Sequence, residues 1–117
     1  MYNVPFVIDN EQPRASVILL HGLGADGYDF APLAKYINAA IPRLRFVLPH
    51  APKRPIERYS GEVMRAWYDL IDARGEAQHD ARGIQASCDQ IENLIAEEVK
   101  VGIAEQNIAL VGFSQGG

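Results

Sequence analysis

The chain has 117 residues, 48% of them apolar and 22% charged, the balance of an ordinary globular domain. That excludes a disordered or collagen-like polymer and leaves room for one core rather than two. Eleven Lys and Arg are interspersed among fifteen Asp and Glu, a net charge of −4, so nothing advertises nucleic acid as a partner.

Ser16–Leu20 is a short apolar run whose length and β-branched content predict a strand buried on both faces. Phe30, Leu33, Ala34 and Ile37 then recur at the i, i+3, i+4, i+7 spacing of an amphipathic helix. Asp29 reads as its N-cap, Pro32 falls in its first turn, and Pro42 closes it. Leu44 to Leu48 reads as a second buried strand, Pro49 to Pro55 as loop, and Val63 to Leu70 as one strand of mixed pattern. Ile84, Cys88, Ile91, Leu94 and Ile95 mark a long helix from Asp80 to Val101, with Gly102 at C′. Ile108 to Val111 is the last buried strand and runs into Gly112-Phe113-Ser114-Gln115-Gly116-Gly117. Strands alternating with helices predict an α/β fold, a mostly parallel sheet flanked by helices.

Cys88 stands alone, so no internal disulfide forms, and a reducing compartment follows. Met1 to Pro5 lacks a basic region followed by an apolar stretch, and no run of 18 apolar residues exists. The expectation is a cytoplasmic protein with no transmembrane segment.

Two glycine loops compete to define the chemistry. In His21-Gly22-Leu23-Gly24-Ala25-Asp26-Gly27, the glycines match G-x-G-x-x-G between a strand and a helix, the setting of a dinucleotide-binding loop. Such a loop wants an acid about twenty residues on to hold a ribose hydroxyl. Here the position reads Val47-Leu48-Pro49-His50, and Asp26 inside the loop would repel phosphate.

Gly112-Phe113-Ser114-Gln115-Gly116 matches G-x-S-x-G. In that pattern small residues let the chain turn sharply from strand to helix and lift the serine hydroxyl clear of the sheet. A chain of this length meets the pattern by chance about 4% of the time, so an ordinary Gly/Ser turn is the plain alternative. Context favours the elbow, because the strand Ile108–Val111 runs directly into it. The two loops also fit one mechanism. The N–H after a nucleophilic serine, here Gln115, holds the oxyanion, and a Gly-rich loop after an earlier strand supplies a second N–H, here Leu23. No Cys/His cluster offers a metal site, and this chemistry needs no cofactor.

At these residues the chain resembles the phospholipase/carboxylesterase group of α/β-hydrolases, which includes bacterial carboxylesterases and acyl-protein thioesterases. The resemblance is carried by Leu20-His21-Gly22-Leu23-Gly24-Ala25-Asp26-Gly27, by Leu48-Pro49-His50-Ala51-Pro52 with Arg54-Pro55, by Met64-Arg65-Ala66-Trp67-Tyr68-Asp69 and by Gly112 to Gly117. It implies Ser114 as the nucleophile, the Leu23 and Gln115 amides as the oxyanion hole, and His21, Gly22 and Gly24 as loop-organising residues. It also implies that the stretch from Ile56 to Trp67 shapes an acyl-binding groove, although Trp67 reads equally well as a core aromatic.

In this fold the acid and histidine of the triad follow the serine in chain order. They are expected beyond Gly117, which makes residues 1–117 the N-terminal half of a domain. His21, His50 and His79 do not inherit the role, and Asp80 and Asp69 read as a cap and a structural carboxylate. The implied substrate is a small-molecule ester or acyl thioester. A half-domain alone is expected to be catalytically silent and to aggregate or form homodimers through the apolar strand Ile108–Val111.

Overall fold

In the computed structural model, which describes residues 4–73 and 76–117, the chain forms the short strand β1 (Phe6–Ile8) and then enters the core as β2 (Ala15–Leu20). Helix α1 (Ala31–Ala40) leads to β3 (Leu44–Leu48), and two hairpins follow, β4 (Lys53–Ile56) with β5 (Glu62–Arg65) and β6 (Leu70–Ala73) with β7 (Glu76–His79). Helix α2 (Ala81–Lys100) then returns the chain to β8 (Ile108–Gly112). The main sheet runs β1-β3-β2-β8, with β2 parallel to both β3 and β8 and β1 antiparallel to β3. Parallel neighbours need a crossover, and α1 and α2 supply it.

Strand β2 is buried from both sides because its alternate residues serve two cores. Leu19 packs with Ala34, Phe46 and Leu48, and Phe30 and Ile37 close over them. Ile18 packs on the other face with Val47 and Leu94, backed by Ile91, Ile95 and Ile108. Each aliphatic side chain buried this way contributes about 1.5–3 kcal/mol. Of the helical stripes read from the sequence, Phe30, Ala34 and Ile37 and, on α2, Ile91, Leu94 and Ile95 make these contacts, whereas Leu33, Ile84 and Cys88 are exposed.

A polar network fastens α2 to the sheet. The buried Glu98 carboxylate accepts the Ser16 hydroxyl of β2 at 2.5 Å and the Arg45 Nε–H of β3 at 2.8 Å. Arg45 also pairs with Asp9 at 2.7 Å.

Several expectations are corrected. Asp29 does not cap α1, whose N-cap position is Phe30 with no side-chain bond; instead Asp26 caps the turn before it, its carboxylate accepting the Tyr28 N–H at 2.8 Å while Asp29 reaches back to the Asp26 N–H in a capping box. The reason is a 3-10 turn, Gly27–Phe30, that precedes α1. The loop expected to Pro55 ends earlier, since Lys53–Ile56 pairs with Glu62–Arg65. Pro55 is tolerated there because a two-stranded ribbon has edges that need no N–H. The single strand expected over Val63–Leu70 breaks after Arg65, where Ala66 donates to the Pro52 carbonyl and Trp67 turns inward. Finally, β8 is not a buried strand among the described residues. It ends the sheet, with Leu110 53% and Val111 44% exposed.

Asp80 caps α2 by accepting the Gly83 N–H, as its position predicts, and also takes the Asp69 N–H at 2.8 Å. These bonds, with Arg54 nearby, hold its carboxyl below the ordinary aspartate value. Asp69 accepts the Glu57 N–H, a structural use of its carboxylate.

Candidate active site

The two glycine loops leave the same end of adjacent parallel strands. Leu20 of β2 is paired with Gly112 of β8, and the Phe113 N–H extends the ladder to the Leu20 carbonyl at 3.0 Å. The crevice beyond the carboxyl ends of such strands is where open α/β sheets build their sites.

The turn after β8 is tight. Ser114 sits at φ +55°, in the left-handed region that costs an L-residue about 1–2 kcal/mol. Its side chain is exposed. The chain closes behind it through Gly116 N–H to Phe113 and Gly117 N–H to Ser114. Gly116 tolerates no side chain, because a Cβ there would lie 2.4 Å from the Leu20 carbonyl oxygen.

Across a cleft of about 250 Å³ stand Gly22, Leu23 and Ala25, with Asp29, Phe30, Phe113 and Ser114 completing its walls. Phe30 and Phe113 meet edge to face, ring centres 5.9 Å apart. Among the described residues neither the Leu23 N–H nor the Gln115 N–H donates to a protein acceptor, and the Ser114 hydroxyl has no hydrogen-bond partner. Ser114 and Leu23 thus line one cleft, the Gln115 amide follows Ser114 in the chain, and a hydroxyl with uncommitted amides nearby is what acyl transfer requires.

His21 lies behind this cleft, fully buried. Its Nδ1–H donates to the Gly22 carbonyl at 2.7 Å, and its Nε2 accepts the Ala51 N–H at 2.9 Å. Accepting at Nε2 requires the neutral ring, and burial holds its pKa below the ordinary value. His50 accepts the Gly27 N–H through Nδ1 at 3.0 Å beneath the Tyr28 ring, and burial, with Arg65, lowers its pKa as well. His79 is exposed at the end of β7. None of the three bonds to Ser114.

The nucleotide alternative meets an obstacle at the same loop. The Gly27 N–H is taken by His50, and the Gly24 N–H donates to the Arg65 carbonyl at 2.8 Å. A Cβ on Gly27 would lie 2.4 Å from the Leu48 carbonyl oxygen, so this glycine answers to packing against β3. Two of the three glycine amides are thus unavailable to a pyrophosphate.

Trp67 does not line the cleft. It is only 3% exposed, its ring 5.1 Å from that of His21, and its indole N–H donates to the His21 carbonyl at 2.7 Å. The Gln115 side chain also turns inward and bonds the backbone of Trp67 and Tyr68. Sequence reasoning placed the Gln115 backbone amide at the site and missed its side chain. The one available signal was a large amide at a position where the turn itself asks for nothing.

Comparison with known proteins agrees with this architecture. A family model described as Phospholipase/Carboxylesterase matches residues 3–117. The chain is 38% identical over 110 residues to acyl-protein thioesterase 1 of Cryptococcus neoformans var. neoformans serotype D, a match covering 92% of this chain and 46% of that protein. It is 40% identical over 118 residues to acyl-protein thioesterase 1 of Kluyveromyces lactis, covering 97% and 52%. The chain thus spans about half the length of the curated relatives it matches. Among solved structures, Zea mays acyl-protein thioesterase 2 superposes with a TM-score of 0.81 at 28% identity, over 97% of this chain and 47% of that one. Esterase PE8 shares the fold with a TM-score of 0.77 at 24% identity, over 98% and 54%. The chain has the α/β-hydrolase fold and belongs to the phospholipase/carboxylesterase family.

Proposed function

We propose that these 117 residues carry the nucleophile and the oxyanion-binding half of a serine hydrolase acting on carboxylic esters or acyl thioesters. The observation that carries this reading is the placement of Ser114, exposed at positive φ, across one cleft from Leu23. The names of the relatives, acyl-protein thioesterases, support the thioester class.

In this reading Ser114 Oγ attacks the acyl carbon and its proton passes to a histidine. The carbonyl electrons move onto oxygen, which the Leu23 and Gln115 N–H groups hold. The tetrahedral adduct collapses, the alcohol or thiol leaves with the proton, and water repeats the sequence to free the acid. The apolar walls Leu23, Phe30 and Phe113 suit an acyl chain. Both nitrogens of His21 are engaged with backbone and His50 holds the Gly27 N–H, which supports a base, and an acid that orients it, supplied from outside residues 1–117 in this reading. Without that base the hydroxyl is a weak nucleophile, and residues 1–117 by themselves are nearly silent.

A fluorophosphonate probe tests this, read by intact mass and by the position of the adduct, with imidazole added as a surrogate base. Slow labelling at Ser114, quickened by imidazole and absent in Ser114→Ala, is expected. Labelling that Ser114→Ala retains, or a Ser114 that stays unmodified at every imidazole concentration, overturns the reading.

A further inference from the structure

We infer that the Gln115 side chain and Trp67 are positioning residues, a strut that sets the separation of the Leu23 and Gln115 amides. The inference rests on the hydrolase reading above. Two donors serve one oxyanion only if each lies about 2.7–3.1 Å from the same oxygen, so their spacing has to be held to about 0.5 Å. The β2–β8 ladder ends at Phe113 N–H to Leu20 C=O, before either donor is reached. Something beyond the ladder has to hold the two loops in register.

The bonds that do so run without a gap. Gln115 Oε1 accepts the Trp67 backbone N–H at 2.9 Å, and its Nε2–H donates to the Tyr68 carbonyl at 2.8 Å. A carboxamide can donate and accept at once, as a paired strand would, which explains an amide at this position. From the same Trp67 the indole N–H reaches the His21 carbonyl at 2.7 Å, two residues before Leu23. The His21 ring is itself fixed to Ala51 and Gly22, and Gly24, just after Leu23, is tied to Arg65. Ser87 on α2 donates its hydroxyl to the Trp67 carbonyl, anchoring the strut to a long helix. Gln115 and Trp67 are both buried, so the bond from the Trp67 N–H to Gln115 and the bond from its indole N–H to His21 are shielded from water, and breaking either leaves a partner unsatisfied.

A residue that merely packs would disturb only its own contacts, whereas a strut moves the far donor. The 15N-labelled 117-residue chain distinguishes these by NMR in three variants. Gln115→Met keeps the side-chain length and removes both bonds. Gln115→Glu keeps the acceptor for the Trp67 N–H. Trp67→Phe keeps an aromatic ring and removes the indole N–H.

In Gln115→Met the Trp67 amide should exchange at least about tenfold faster, and the Leu23 amide resonance should shift. Trp67 is the chain's single tryptophan, so its emission should also move to the red without interference. Gln115→Glu should restore protection at Trp67 and return the Leu23 resonance towards its original position. In Trp67→Phe the Gln115 amide should shift although its own side chain is intact. A Leu23 amide unmoved by Gln115→Met, or a Gln115 amide unmoved by Trp67→Phe, overturns the strut. If Gln115→Met does not fold, the Trp67→Phe spectrum decides alone. Probe labelling of Ser114 is measured separately, so failure of the hydrolase reading and failure of the strut give different results.

Discussion

Arg45 of β3 and Glu98 of α2 meet at 2.8 Å inside the protein, and the same Glu98 oxygen accepts the Ser16 hydroxyl of β2. One carboxylate thus pins the helix to two neighbouring strands. Glu98 is 3% exposed, so its charge is tolerated only while Arg45 and Ser16 face it. Replacing Arg45→Met should destabilise the fold by about 3–5 kcal/mol, since it leaves a buried charge unpaired. Adding Glu98→Leu to that variant should recover most of the loss. Urea unfolding of both variants checks this, and a double variant as unstable as the single would contradict it.

The pH dependence follows from the two buried imidazoles. His21 and His50 accept backbone N–H groups and are held below their ordinary value of 6.5, chiefly by burial. The unfolded chain therefore binds protons that the folded one refuses, and stability is present above pH 6.5 and lost as pH falls below it. The melting temperature should drop between pH 7.5 and pH 5. His21→Phe should lower stability at pH 7.5, because the Ala51 N–H loses its acceptor, and should flatten the slope below pH 6.5.

Ser114 trades stability for position. A glycine at φ +55° escapes the clash that an L-side chain suffers, so Ser114→Gly should raise unfolding stability by about 1 kcal/mol. The same change removes the hydroxyl that the probe would label. Gly116→Ala should act the other way, costing about 1–3 kcal/mol as its methyl meets the Leu20 carbonyl. Denaturant titrations of both variants measure the two effects with opposite signs.

Among the described residues no strand pairs with the outer edge of β8 beside Leu110 and Val111, and Ile108 to Phe113 contains no charge to guard it. The 117-residue chain should self-associate as its concentration rises, in sedimentation velocity or light scattering. A Leu110→Lys, Val111→Lys variant should shift the population towards monomer. A wild-type chain that stays monomeric across the concentration range would contradict the prediction.

Much of this molecule was legible from one dimension. The i, i+3, i+4 stripes of α1 and α2 and the apolar runs of β2, β3 and β8 are local patterns, and they appear where their spacing places them. The serine and its flanking glycines were legible for the same reason, since a sharp turn constrains neighbours in sequence. The strand break at Ala66–Trp67 was not, because Pro52 and Gln115, distant in the chain, satisfy the backbone there. Nor was the switch of cap from Asp29 to Asp26, which depends on a 3-10 turn seated against β3 and His50.

The sequence by itself determined the class of fold, the family resemblance and the position of the tight turn at Ser114, all of them written in patterns only a few residues long. Only the tertiary structure decided where Trp67, Gln115 and His21 sit and what they bond. Their places rest on hydrogen bonds between segments 30 to 48 residues apart. A tryptophan that could wall a groove or fill a core leaves the same mark in a sequence. The His21 carbonyl comes within reach of its indole N–H only in the folded chain, where the tryptophan is buried.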